Sequence, residues 1–217
     1  MKTPVVQQQY NQMAQDYDRR WQHYTHPTLR FLLDWADLHP DEQVLDVGCG
    51  TGELERFQLA VQPHQVIHGI DLAEAMIATA RKKCASWPQV CFQVAKAEAL
   101  PYADQTFDVI LSASAFHYFP DPVAALIDMK RVLKPGGRIV ILDWCRDFLW
   151  CRLCDLWLKW RDPAHHNCYT QQELASFFQQ AGLQVNASQR KRFGFFWGLM
   201  IATAVKEVGI EDGSSMG

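Results

Sequence analysis

The sequence predicts an open α/β fold, a doubly wound and mostly parallel sheet covered by helices on both faces. Three observations carry this. Short apolar runs alternate with helix-length segments from residue 43 to residue 143, and parallel neighbours need crossover connections of that kind. The runs show little polar alternation, as strands covered on both sides require. A glycine-rich turn follows the first run and opens a helix, the place where such sheets hold ligands.

In chain order, Leu29, Leu32, Leu33 and Trp35 recur at helical spacing in a region also carrying Tyr10, Tyr17, Trp21 and Tyr24. This predicts an N-terminal helical cap over residues 1–40, outside the main fold. Gln43–Val47 is the first strand and Glu53–Ala60 a helix. Gln65–Ile70 is the second strand, followed by a helix over 73–85, and Val90–Val94 is the third. Phe107–Leu111 is the fourth, with a helix over 123–133. Lys134-Pro-Gly-Gly137 is a turn and Arg138–Asp143 the fifth strand.

Residues 144–160 then carry four of the eight tryptophans. They read as a helix apolar on most of its circumference, a lid insertion over about 144–170. Thr170-Gln-Gln-Glu173 is a capping box for a helix ending near Gly182. Gln184–Arg190 and Phe195–Lys206 are two strands joined by a short loop, so they pair antiparallel. The sheet therefore has seven strands, the last antiparallel. One domain over 41–206 and a frayed tail over 207–217 complete the organisation.

Composition excludes several classes. Of 217 residues, 48% are hydrophobic and 21% charged, so a packed core is within reach and wholesale disorder is out. A net charge of −3 argues against a nucleic-acid partner. Seven scattered cysteines are not a disulfide framework and point to a reducing, cytoplasmic setting. The N-terminus shows no signal-peptide pattern. The longest apolar stretch, Phe193–Val205, is too short for a membrane span. Cys151, Cys154, His165, His166 and Cys168 lack the second Cys-x-x-Cys of a structural zinc site, so no metal is expected.

Leu45-Asp-Val-Gly-Cys-Gly-Thr-Gly52 brings three alternating glycines onto a strand-to-helix turn, which lets backbone approach a ligand closely. Asp71 closes the next strand, 23 positions after Gly48, where a carboxylate can grip a ribose diol. A pyrophosphate is disfavoured, because Asp46 and Glu53 flank the loop and no Gly-Lys-Ser/Thr follows. Two acids suit a phosphate-free nucleoside bearing positive charge, and S-adenosyl-L-methionine is one.

Four stretches occur in order: the glycine loop, Gly69-Ile-Asp-Leu-Ala-Glu-Ala-Met76, Ala97-Glu-Ala-Leu-Pro-Tyr-Ala-Asp-Gln-Thr-Phe-Asp108 and Leu133-Lys-Pro-Gly-Gly137. Together they resemble the class I S-adenosylmethionine-dependent methyltransferases, in the small-molecule branch similar to ubiquinone/menaquinone C-methyltransferases. The resemblance covers roughly residues 40–145 and extends weakly to Tyr10-Asn-Gln-Met-Ala-Gln-Asp-Tyr17. It implies a Rossmann-like fold, S-adenosyl-L-methionine as cofactor and a small-molecule methyl acceptor.

For individual residues the resemblance implies that Gly48, Cys49 and Gly50 run along the methionine part, with Asp46 serving the ammonium. Asp71 takes both ribose hydroxyls, and Leu72 and Met76 pack near the adenine. Ala97 offers its N–H to the ring, beside Glu98. The Ser112 carbonyl meets the ammonium, and Tyr17 closes over the carboxylate end. Lys96 departs from the pattern: the family commonly has Asp there, accepting from the adenine amine, and lysine has no acceptor.

Beyond the cofactor, His117 is the general-base candidate, because it leaves the carboxyl end of the fourth strand. Tyr118, Trp144, Trp150, His165 and His166 are expected to line an apolar or aromatic acceptor site. A cofactor-binding module without turnover and a nicotinamide-dependent oxidoreductase are the rival readings. The acceptor atom and the oligomeric state stay open.

Overall fold

A computed structural model describes residues 3–161, 167–194 and 196–207. Seven strands form one sheet in the order β3-β2-β1-β4-β5-β7-β6: β1 Gln43–Val47, β2 Val66–Asp71, β3 Val90–Val94, β4 Phe107–Ala113, β5 Leu133–Trp144, β6 Gln184–Phe193 and β7 Trp197–Val205. β1 pairs in parallel with both β2 and β4, while β7 is antiparallel to β5 and β6. The strand order reverses between β1 and β4, and a crease opens there at the carboxyl ends.

Alternation along the strands explains the two helical layers. Val44, Ile67, Val109, Leu111, Val140 and Leu142 share one core with α2 (Tyr17–Ala36) and α3 (Glu53–Val61). Leu45, Val47, Ile70, Ile110, Ile139 and Ile141 pack on the other face with α5 (Pro122–Val132) and α7 (Gln171–Gln180). Phe107 belongs to the second core although Val109 belongs to the first. An irregularity in pairing between those two residues switches the face. β5 begins five residues earlier than expected, because Leu133 pairs with Phe107 and the Gly136–Gly137 turn exchanges backbone hydrogen bonds with Lys206. The Thr170–Glu173 capping box opens α7 as expected.

The N-terminal region corrects the expected cap. α2 is a full member of the sheet layer: Leu29, Leu32 and Ala36 are buried with Val44, Val109 and Val140. The Trp35 Nε1–H donates to Thr203 Oγ1 at 2.8 Å. Only α1 (Thr3–Met13) lies outside that layer. It packs against α4 (Glu74–Lys83), and Asn11 Oδ1 accepts from the Ala75 N–H at 2.9 Å, capping a helix whose own N-cap, Ala73, has no side-chain acceptor.

An ionic clasp ties α2 to the glycine loop. Lys83 Nζ, at the end of α4, donates to Asp18 Oδ2 at 2.6 Å, Glu53 Oε2 at 2.9 Å and Thr51 Oγ1 at 3.1 Å. Burial alone would raise the Glu53 carboxyl, but hydrogen bonds from Arg56 and Lys83 outweigh it and hold its pKa at about 2. Its folded value is depressed, so its stabilising contribution is complete above the ordinary carboxylate range and is lost as pH falls toward 2. Lys83→Met should cost about 1–3 kcal/mol at neutral pH. Thermal melts should show that deficit shrinking in acid, and a deficit equal at pH 7 and pH 3 would deny the clasp its electrostatic origin.

Candidate active site

The crease beside β1 and β2 is a cleft holding about 790 Å³ of space, part of it open to solvent. Its floor is the glycine loop. Gly48 has φ +86°, and a Cβ there would stand 2.4 Å from the Ala115 Cβ. The Gly48 and Cys49 amides donate to the Ile70 carbonyl at 2.8 and 2.9 Å, which pins the loop to the end of β2. Asp71, also at that end, is anchored at both oxygens. Oδ2 accepts from the Gly50 N–H at 2.9 Å and Oδ1 from the Ala73 N–H at 2.8 Å. Each carboxylate oxygen keeps lone-pair capacity for a hydroxyl. Burial raises the Asp71 pKa, and the backbone hydrogen bonds oppose it.

Most of the residues expected from the sequence converge here. Tyr17, Gly48, Gly50, Asp71, Leu72, Lys96, Ala97, Glu98 and Tyr118 line the crease. Asp46 and Cys49 line an adjoining cavity of about 490 Å³ between the loop and α2, which shares Tyr17, Gly48 and Gly50 with the first. Asp46 is buried, and its Oδ1 has no hydrogen-bond partner. Five expected positions fall elsewhere, His117 and Trp144, which are described below, and three more. Met76 is buried behind the crease against Ala14 and Ala73. Ser112 lines neither cavity: its Oγ donates to the Val47 carbonyl inside the sheet, and Ala113 and Ser114 form the wall. Trp150 sits on α6 (Leu149–Arg161) against Phe196 and lines neither cavity. His165, His166 and the tail over 208–217 lie outside the described residues.

The family model of the methyltransferase domain matches residues 38–182, more than half of the chain.

The chain belongs to the methyltransferase family.

Its cofactor is S-adenosylmethionine, and its fold is that of class I. The methyltransferase is 29% identical to a demethylmenaquinone methyltransferase of Tropheryma whipplei, with 88% of this chain and 89% of the relative covered. It is 37% identical to a ubiquinone/menaquinone biosynthesis C-methyltransferase of Geobacter sulfurreducens, over 58% of this chain and 48% of that one. The solved structure of geranyl diphosphate C-methyltransferase from Streptomyces coelicolor superposes with a TM-score of 0.68 at 15% identity, covering 83% of this chain and 79% of the other.

The methyltransferase roofs its crease with aromatic side chains. Val6, Tyr10 and Tyr17 descend from α1 and α2, and the Tyr10 ring meets Tyr118 edge-on at 5.4 Å. Burial raises the phenol pKa values of Tyr10 and Tyr17, so this wall is uncharged. Val6 and Tyr10 are absent from the sequence-based site. Local periodicity could not have found them, because Tyr10 and Tyr17 lie on different helices separated by a turn over 14–16.

His117 does not line either cavity. It is 2% exposed, behind Tyr118, with Nδ1 2.6 Å from Asp143 Oδ1. Asp143 also accepts from the backbone amides of His117 and Trp144. The carboxylate selects the Nδ1–H tautomer, which leaves Nε2 as the basic nitrogen. Trp144 stacks on the imidazole at 5.3 Å and lines neither cavity. Its Nε1–H donates to the Tyr24 hydroxyl at 2.8 Å, and that hydroxyl shares a hydrogen bond with Ser114 Oγ at 2.7 Å. Ser114 holds φ +53° and borders both cavities. A non-glycine residue in that region is strained and is kept there by its surroundings.

Among the described residues, no cluster of three His, Cys, Asp or Glu side chains is placed to hold a metal ion. No described helix is long and apolar enough to cross a membrane. The Cys151 sulfur is instead occupied by β7, exchanging hydrogen bonds with the Gly198 amide and carbonyl at 3.3 and 3.2 Å.

Proposed function

We propose that the methyltransferase transfers its methyl group to a small, uncharged, ring-bearing acceptor seated against Tyr10, Tyr17 and Tyr118. One observation carries this reading: the reaction face is an aromatic, un-ionised wall, and the only cation on the described lining of the two cavities is Lys96, on the loop after β3. A phosphorylated acceptor would find that single lysine and no described arginine to grip its phosphate with paired hydrogen bonds. The quinone-related names of two relatives put hydroquinones first among acceptors to test.

In this reading Asp71 accepts from the ribose hydroxyls, and Leu72 and Ala97 border the adenine. Asp46, whose buried Oδ1 lacks a partner, takes the ammonium. Lys96 cannot accept from the adenine amine. Glu98 borders the crease with a buried and unpartnered Oε1, and it supplies that acceptor. Glu98→Ala should weaken S-adenosylhomocysteine binding about tenfold, as loss of one hydrogen bond does. Glu98→Gln, which keeps an acceptor oxygen, should restore most of it.

The bound cofactor supplies an electrophilic methyl and its own leaving group, so the protein's part is to position the acceptor and exclude water. Roofing by α1 excludes water. His117 and Asp143 set the loop that presents Ser114 and Tyr118. An acceptor that must lose a proton meets a base only if the Tyr118 ring moves aside to admit it to Nε2 of His117. His117→Ala should therefore slow turnover and leave cofactor affinity near wild type. Calorimetry with S-adenosylhomocysteine and NADH, followed by turnover with hydroquinones and with phosphorylated alcohols, tests the whole reading. Tighter NADH binding, or turnover confined to phosphorylated acceptors, would overturn it.

A further inference from the structure

Asp46 has a neighbour that the assignments above do not use. In the pairing of β1 with β2, Asp46 stands beside Gly69, on the sheet face it shares with Val44 and Ile67. Gly69 has no side chain, and Glu55 uses the space. A Cβ at Gly69 would lie 2.7 Å from Glu55 Oε1 and 2.6 Å from Phe92. Glu55 thus reaches from the first turn of α3 onto the strand next to Asp46. Glu55 is fully buried and Asp46 is 2% exposed. Neither Glu55 oxygen, nor Asp46 Oδ1, accepts a hydrogen bond from another residue.

The surroundings do not neutralise two charges. Asp71 faces the pair from β2, Cys49 from the loop, and Lys83 and Cys84 from α4. Lys83 is the one cation among them, and its ammonium is committed to Asp18, Thr51 and Glu53. Two carboxyls buried over neighbouring strand positions in a dry site do not both ionise.

We propose that Asp46 and Glu55 form a carboxyl pair sharing one proton beneath the glycine loop, and that binding of the cofactor's ammonium drives this proton out to solvent. Glu55 is then a positioning residue: it sets the charge that Asp46 presents to the ligand without touching it. The proposal rests on the assignment of the ammonium to Asp46. The direction of titration agrees. Burial, and then Asp71, push Asp46 up to about 8, while burial, and then Asp46, push Glu55 well above its ordinary value. Before binding the pair carries one negative charge. Afterwards it carries two, one of them facing the ammonium, and the proton passes to buffer.

The test is calorimetric titration with S-adenosylhomocysteine between pH 6 and 8, in phosphate and in Tris, whose different ionisation heats report protons released. Wild type should release up to about one proton per ligand, with affinity rising by up to about tenfold per pH unit. Glu55→Gln should bind with most of that release gone and a nearly flat pH profile. Binding by wild type without proton release, or unchanged release in Glu55→Gln, overturns the proposal and leaves the cofactor site intact. No binding of S-adenosylhomocysteine at any pH overturns the site assignment instead.

A second readout needs no ligand. The folded state holds the shared proton above the ordinary carboxylate range, so this pair makes wild type lose stability as pH rises from about 5 to 8. Thermal melts of Glu55→Gln, or of Glu55→Leu if the amide variant does not fold, should show a shallower decline. An equal slope overturns the shared proton.

Discussion

Asp71→Ala should lower S-adenosylhomocysteine affinity by a hundredfold or more. Two charge-assisted hydrogen bonds to a ribose diol disappear together, at roughly 1.5–3 kcal/mol each. The same substitution orphans the Gly50 and Ala73 amides, which now end on the two carboxylate oxygens. The loop therefore loses its anchor as well as its ligand. Asp71→Asn separates the two effects. Its oxygen can keep one amide, while its NH₂ group confronts the other. Calorimetry should place it between alanine and wild type. An alanine variant that binds as tightly as wild type would remove the ribose from this position and the crease from the cofactor.

Gly48→Ala should be the more damaging change to the fold. Its φ of +86° is disfavoured for any residue with a Cβ, and that Cβ would stand 2.4 Å from the Ala115 Cβ. Left-handed strain of roughly 1–2 kcal/mol adds to overpacking of about 1–3 kcal/mol. The loop can yield only by moving away from Ile70 or by displacing the turn after β4. Gly50→Ala is the control. It also has a positive φ, +54°, but no atom lies within 4 Å of the place its Cβ would take, so it should show the strain without the clash. A double variant, Gly48→Ala with Ala115→Gly, should recover the overpacking part of the loss and not the strain. Thermal melts measure all three. Equal losses for Gly48→Ala and Gly50→Ala would show that the contact with Ala115 relaxes freely.

The legible part of the site follows the backbone. Gly48, Gly50 and Asp71 were readable because a turn with left-handed residues and a strand-ending carboxylate leave local signatures. Glu98 and Ala97 came with a motif, and they line the crease. The parts that were missed come from elements distant in sequence. Tyr10 meets Tyr118 across more than a hundred residues, and Tyr24 meets Ser114 across 90 and Trp144 across 120. Ala113 and Ser114 line the crease and Ser112 does not, because where β4 ends decides which residues form the wall. Trp150 was drawn toward the site by composition alone, yet α6 turns it against Phe196.

By itself the sequence determined the order of the strands along the chain, the doubly wound class, the glycine loop and the family, since these rest on periodicity, turn chemistry and short motifs. The tertiary structure alone decided that α2 belongs to the sheet layer, that His117 is held behind Tyr118 by Asp143, and that Glu55 fills the space over Gly69, the strand neighbour of Asp46. The physical reason is the same in each case. Which side chains share a dry space depends on how strands pair and how layers close, and the absence of a side chain at Gly69 has no meaning until the strand beside it is known.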